Sequence, residues 1–310
     1  MLECSTGFYN MVTMLMWSAL SPVFYQHIAA QDVFGSMPLL THLAIGQELS
    51  RHSAQLLSAV RRDKLHSLEV RLDLCHASFL QGCTQLKALT LVYSDKFKGA
   101  IAIADLAGLT KLELNANTWW KRRLISAEEQ SELGITLAAL SNLQSLRLDH
   151  APPGPVSQAL SQLTALTEVT LSQQNVVTNP GPLILPSCLQ LSLPLGTSMQ
   201  HLVCIKAPQL RHLDGIQLAL KLSDVDALRG LCRGVLRACN SLCLSLQHGW
   251  SKKDTVALMA VLSQDWQPIR SSSMDRHQPS RQWSLELCTT PLSRQCLELL
   301  PKGLGSLRLQ

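Results

Sequence analysis

Charge is scarce in this chain. Only 16 % of its 310 residues are Asp, Glu, Lys or Arg, and only 5 % are aromatic. The formal net charge of +5 is spread thinly, which argues against nucleic acid as a partner unless basic residues gather on one face. There is no Walker A sequence and no G-x-G-x-x-G loop to cradle a phosphate, and no G-x-S-x-G elbow to present a nucleophilic serine. The ten cysteines fall well below the density of a small disulfide scaffold, and Cys232, Cys239 and Cys243 lack the double C-x-x-C spacing of a zinc site. No N-x-S/T sequon occurs. These gaps predict a chain that is not an enzyme, carries no cofactor or metal, and lies inside the cell, in cytoplasm or nucleus. Hydrophobic residues make up 46 % of it, enough for a sizeable core.

What the chain has in abundance is a phrase close to L-x-x-L-x-L. Its copies centre on Leu43, Leu68, Leu89, Leu112, Leu146, Val169, Leu191, Leu213, Leu244, Leu285 and Leu307. Seven of the ten intervals fall in the window of about 20–29 residues that one strand-and-return unit occupies. The long intervals, after Leu112, Leu213 and Leu244, call for an insertion, a degenerate copy, or a different register near Leu213 and Leu244. In the Leu112 copy, alternation turns Leu112 and Leu114 inward with Leu109, while Lys111, Glu113 and Asn115 turn outward. One such unit cannot bury its apolar side alone. Stacked parallel copies share a continuous core and leave one extended polar face.

Between strands, residues 53–63, 135–143 and 156–163 carry apolar side chains three or four apart and predict short helices over the other side of the core. Ser126 and Glu129 have capping-box spacing for a helix start. Asp254 is a plausible N-cap for a helix over DTVALMAVL, and the polar stretch that follows, with Ser271, Ser272 and Ser273, reads as a loop or a phosphorylation site. The proline runs at 151–155 and 179–182 predict irregular connections that neither helix nor strand runs through. Residues 11–30 are apolar but contain Pro22, Gln26 and His27 and have no basic n-region. A buried helix covering the open end of the first repeat fits them better than a membrane span or signal peptide. The last strand, at Leu307, has no polar capping unit after it, so either the chain is part of a longer protein or a partner or loop covers that end.

The candidate binding residues lie on the outward positions: Glu69, Arg71, Lys87, Tyr93, Lys111, Glu113, Asn115, Arg147, Asp149, His150 and Glu168. This mixed-charge stripe suits a protein with complementary polar groups. The interruption after Asn115 adds Trp119, Trp120 and Arg122 beside Lys121 and Arg123. Exposed, that patch would anchor a partner or, less readily, contact RNA or DNA; folded back, the tryptophans would cover the core.

LTKLELNAN at 109–117, with LQSLRL and LTEVTL, resembles the leucine-rich repeat superfamily in a divergent intracellular form, whose fuller pattern is L-x-x-L-x-L-x-x-N-x-L. Ser94, Ala151 and Gln174 stand where the pattern of Asn117 asks for asparagine. The resemblance implies an α/β solenoid, a horseshoe with short parallel strands on the concave face and short helices or irregular turns on the convex one. The repeat domain would span 37–310, with insertions near 116–135 and 249–284, behind a helical capping segment at 1–36. It further implies a non-catalytic scaffold or adaptor that recognises another protein on the concave strands, or alternatively the substrate-recognition component of a ubiquitin-ligase complex.

Overall fold

The computed structural model describes residues 14–17, 40–49, 62–72, 80–93, 101–116, 126–149, 154–172, 182–193, 197, 199–214, 216–220, 224–239, 241–246, 251–266, 283–288 and 304–309. The chain divides into two compact units, residues 1–166 and 167–310. Each is a ladder of short parallel strands with helices and turns between them, the alternation expected of a leucine-rich solenoid.

The first unit contains β1 (Met14–Trp17), β2 (His42–Leu49), β3 (Ser67–Leu72), β4 (Ala88–Tyr93), α1 (Ile101–Ala104), β5 (Lys111–Ala116), α2 (Ala127–Ala139), β6 (Ser145–Leu148) and α3 (Gly154–Gln162). Its six strands pair in chain order, all parallel. Leu43, Leu68, Leu89, Leu112 and Leu146 fall in one register row, and Val70, Leu91, Leu114 and Leu148 in another; all are buried. Each leucine so buried contributes about 1.5–3 kcal/mol of apolar transfer energy.

The turns before the strands repeat as closely as the strands do. Leu80, Cys83, Leu86 and Leu89 lie three apart and are buried, as are Ile103, Leu106, Leu109 and Leu112, then Leu137, Leu140, Leu143 and Leu146. In these turns the N–H of the second and third apolar residues of each series bonds the carbonyl three before it, as Cys83 does to Leu80 and Leu86 to Cys83, at 3.0 and 3.1 Å. A three-residue turn brings every third side chain to one side, so the motif extends backwards from L-x-x-L-x-L. One carbonyl per copy then accepts two successive N–H groups from the next copy. Thr41 takes those of His66 and Ser67, His66 those of Lys87 and Ala88, Lys87 those of Thr110 and Lys111, and Thr110 those of Gln144 and Ser145.

The long interval after Leu112 is an insertion: β5 and β6 remain register neighbours, and α2 occupies the added length. Its start is the predicted capping box. Ser126 Oγ accepts from the Glu129 N–H at 3.2 Å, and the Glu129 carboxylate accepts from the Ser126 N–H at 2.9 Å. Ser126→Ala should therefore lower unfolding free energy by about 1 kcal/mol, read by urea denaturation of the intact protein. The helix expected at 156–163 corresponds to α3, whereas that expected at 135–143 is helical only as far as Ala139, the end of α2, and 140–143 form the turn before β6; α2 and α3 pack on each other. The proline rule failed at 151–155, because Pro155 lies in the first turn of α3. The N–H that proline lacks has no helical acceptor there in any case.

At the N-terminal end, a helix over 11–30 is not what Met14–Trp17 adopts. These residues form β1, and pairing with β2 satisfies the edge that strand would otherwise leave open. The predicted helix at 53–63 lies outside the described residues except for Arg62–Lys64, a single 3-10 turn.

The second unit contains β7 (Glu168–Leu171), β8 (Leu183–Ile184), β9 (Gln190–Ser192), α4 (Met199–Val203), β10 (Ile205–Lys206), β11 (His212–Leu213), β12 (Ile216–Leu220), α5 (Val225–Arg233), β13 (Ser241–Leu246), α6 (Lys252–Asp265), β14 (Trp283–Cys288) and β15 (Leu304–Leu309). Strands β7, β9 and β11 form one parallel ladder, β8 and β10 a two-stranded one, and β12 to β15 a third. The paired-acceptor pattern continues: Thr167 O takes the N–H groups of Leu189 and Gln190, and Leu189 O those of Arg211 and His212.

The irregular interval after Leu213 holds a strand that the repeat phrase missed. Ile216–Leu220 pairs along its length with β13, with Leu218 opposite Leu244. The interval after Leu244 is again an insertion carrying a helix, since β13 and β14 are neighbours. That helix, α6, begins before Asp254. Ser251 is its N-cap and Asp254 the reciprocal partner, accepting from the Ser251 N–H at 2.9 Å and its hydroxyl at 2.6 Å. These hydrogen bonds, the hydroxyl's first, hold the Asp254 carboxyl below its ordinary range. The 3-10 turn Val235–Ala238 and α6 meet at Trp266, which is 1 % exposed and donates its indole N–H to Leu236 O at 3.1 Å.

Candidate functional site

Leucines that alternate inward leave three register rows on the outward side of the first unit's sheet. The first runs His42, Ser67, Ala88, Lys111, Ser145; the second Ala44, Glu69, Thr90, Glu113, Arg147; the third Glu48, Arg71, Val92 and Asn115. Glu69, Arg71, Lys111 and Arg147 are exposed, and Glu113 and Asn115 half-buried, so six predicted residues do share one face. Lys111 Nζ lies 2.8 Å from Glu113 Oε1, a pair two residues apart on one strand. Arg147 stands opposite Glu113 in register. The Asn115 carboxamide oxygen is shielded and lacks a hydrogen-bond partner among the described residues.

Two predicted residues depart from the face. Strand β6 ends at Leu148 and the chain bends at Asp149, whose N–H bonds Leu114 O at 3.2 Å; the Asp149 side chain, expected outward, is buried at 7 % exposure. Alternation stops where the strand stops. Lys87 is exposed but precedes β4, so Ala88 and Thr90 hold the outward positions there. The Lys87 ammonium lies before the start of β4, over the Gly108 turn, 3.3 Å from where a β-carbon at 108 would stand.

Tyr93 closes β4, but its side chain, with Trp119, Trp120, Arg122 and His150, lies outside the described residues. Glu168 is half-buried on β7 of the second unit, in register with Gln190, which is followed by His212. That unit has a hydrogen-bonded pair at the same spacing: His212 Nε2 lies 3.1 Å from Asp214 Oδ1, again two residues along.

Sulfur belongs to the core. Burial pushes the Cys188 thiol up to about 11 and Cys232 to about 12, the latter also through the negative charges of Asp265 and Cys239. Both stay protonated at neutral pH, where only a thiolate is nucleophilic. Alkylation of the native protein should spare Cys188 and Cys232, and denaturation should expose them; peptide mapping after mass-tag labelling reads this directly. Among the described residues no group of three His, Cys, Asp or Glu side chains could hold a metal ion. No described helix is long and apolar enough to cross a membrane.

No protein-family model and no curated protein sequence matches the chain. An internalin from Listeria monocytogenes aligns over 87 % of this chain and 81 % of its own, with a TM-score of 0.42 and 14 % identity. What defines the architecture is the chain's own parallel ladder with its repeated turns and shared acceptors.

Proposed function

We propose that this is a non-catalytic scaffold or adaptor that recognises another protein on its outward strand rows. The repeat domain runs over 37–310 with 1–36 as its terminal segment, and the strands form the concave side of a leucine-rich horseshoe. One observation carries the reading: the register places charged and polar side chains from β3, β5 and β6 side by side while the leucines between them are buried. Rigid strands hold such groups at fixed spacing, which suits recognition of a matching surface. An intracellular address, cytoplasmic or nuclear, fits the free thiols of Cys188, Cys204 and Cys232.

The test is affinity capture from nuclease-treated native lysate, comparing the intact protein with K111A/E113A/R147A. Specific protein recovery is expected to fall at least about tenfold in the variant, equivalent to about 1.4 kcal/mol of interaction. Circular dichroism checks that the variant is folded. Unchanged recovery would reject the face as the recognition site, and recovery that depends on omitting nuclease would point to RNA or DNA at the Trp119–Arg123 stretch.

A further inference from the structure

We infer that the second unit is jointed: residues 167–214 and 216–310 open as separate cooperative blocks, which meet at a three-residue step in the strand register between β11 and β12. Toward β9 the chain is set by Leu213. That residue lies opposite Leu191, and Leu189 O takes the N–H groups of Arg211 and His212, the shared-acceptor arrangement of the copies before it. Toward β13 the same chain is set by Ile216. It lies opposite Leu242 and Leu218 opposite Leu244, while Leu213 falls opposite Cys239, whose N–H closes the turn before β13 on Leu236 O at 3.0 Å. Leu191 thus aligns with Leu213 on one side, and Leu242 with Ile216 on the other. Three residues separate the two centres, and Gly215 is among those between β11 and β12. At about 3.3 Å per residue, strands beyond the step are displaced by about 10 Å along their length relative to those before it.

A repeat ladder couples its copies through the residues that neighbours share. Beyond the step β12, β13, β14 and β15 each pair with the next over five residues. Before it, β7 and β9 pair over three and β9 and β11 over two. Across it, strand pairing among the described residues shrinks to the one bridge between Leu213 and Cys239, supplemented by packing of α4 on α5 and of β11 on the 3-10 turn. The far side is further tied within itself, since Asp265 holds Arg229 and Arg233 of α5 and Trp266 holds Leu236. Each block is joined more strongly inside than to the other, which is the condition for opening separately. The step also divides the register rows. Glu168, Gln190 and His212 share a row that reaches the step, whereas Gln217, Cys243, Glu286 and Arg308 form another beyond it. A partner seated across both rows fixes the joint, and one seated on either leaves it free.

The test is backbone amide hydrogen exchange of the intact protein across a low-urea series, resolved by peptide mass spectrometry. The amides of β7, β9 and β11 should follow one opening isotherm and those of β12, β13 and β14 another, with different urea slopes. Two mild truncations of buried leucines then load the blocks one at a time. Leu191→Val in β9 should speed exchange in β7, β9 and β11 by about fivefold and change β12 to β14 by less than about twofold, and Leu244→Val in β13 should do the reverse. A single isotherm shared by all six strands, or acceleration of both groups to the same extent by either substitution, would overturn the inference. Should a variant fail to fold, the urea series on the unaltered protein decides by itself, because one cooperative block gives one slope and two blocks give two.

Discussion

Replacing Trp266 with alanine is expected to lower the unfolding free energy by about 3–5 kcal/mol, the range for deleting a large buried aromatic side chain. The side chain is 1 % exposed, so its removal leaves a cavity and not a dimple filled by water. It also strips Leu236 O of the indole N–H that bonds it at 3.1 Å. Trp266→Phe separates the two contributions. It keeps most of the apolar volume and removes only the indole donor, while Leu236 O still accepts the Cys239 N–H at 3.0 Å, so the loss is that of one hydrogen bond, about 0.5–1.5 kcal/mol. The position matters because several elements converge there. The preceding residue, Asp265, receives Arg233 Nε and Nη2, both at 2.7 Å on one carboxylate oxygen, and faces Arg229 Nε at 3.3 Å with the other. Thus α5, the 3-10 turn and the end of α6 are tied within two residues. Urea unfolding gives the size of the effect. Amide exchange should locate it, with protection lost first in α5, α6 and β13 because repeat stability is summed from neighbour to neighbour. A loss below about 1 kcal/mol for the alanine variant would show that Trp266 is not a packing centre.

Gly134 is the second sensitive position, and the sign of its effect is opposite to the usual one. Glycine within a helix normally weakens it, so Gly→Ala in an exposed helix stabilises by about 0.5–1 kcal/mol. Here a β-carbon would stand 2.9 Å from Pro155 O, 3.1 Å from Pro155 C and 3.2 Å from Pro155 Cβ. Two of those three atoms are backbone, at the start of α3, and cannot swing aside as a side-chain end would. The approach of α2 to α3 therefore requires hydrogen at this site. Gly134→Ala should destabilise by about 1–3 kcal/mol, and Gly134→Val by more, since it adds bulk to the same contact. Thermal and urea unfolding of both variants beside wild type check the order. A more stable alanine variant would mean that the two helices separate without penalty.

The fold was readable from the sequence where its signals are local and periodic. Period-two alternation put Leu112 and Leu114 inside and Lys111 and Glu113 outside, and the structure agrees residue for residue. The Ser126–Glu129 spacing marked a helix start because both partners lie within one turn. Signals failed where a rule reached past the element that supports it. Asp149 carries the outward phase of β6, yet the strand has ended and the bend turns it in. Asp254 looked like an N-cap because aspartate serves equally at N-cap and N3; Ser251 three residues earlier, spaced as Ser126 is from Glu129, was the overlooked signal. Ile216–Leu220 was missed because its leucines follow β11 too closely to fit the repeat interval. The third-residue turns share their spacing with a helix face, which is why Leu140 and Leu143 fit an expected helix over 135–143 although the helix ends at Ala139 and the turn begins there.

The shared carbonyls have an evolutionary corollary. Because Lys87 O and Thr110 O each receive a pair of N–H groups from whichever copy comes next, a returning chain is placed by its last few residues and not by the route it took. A short return between β4 and β5 and a long one between β5 and β6 land in equivalent registers. Connections can therefore lengthen, shrink or diverge with little penalty to their neighbours, leaving the side of the molecule opposite the strands open to drift while the strand rows stay in line.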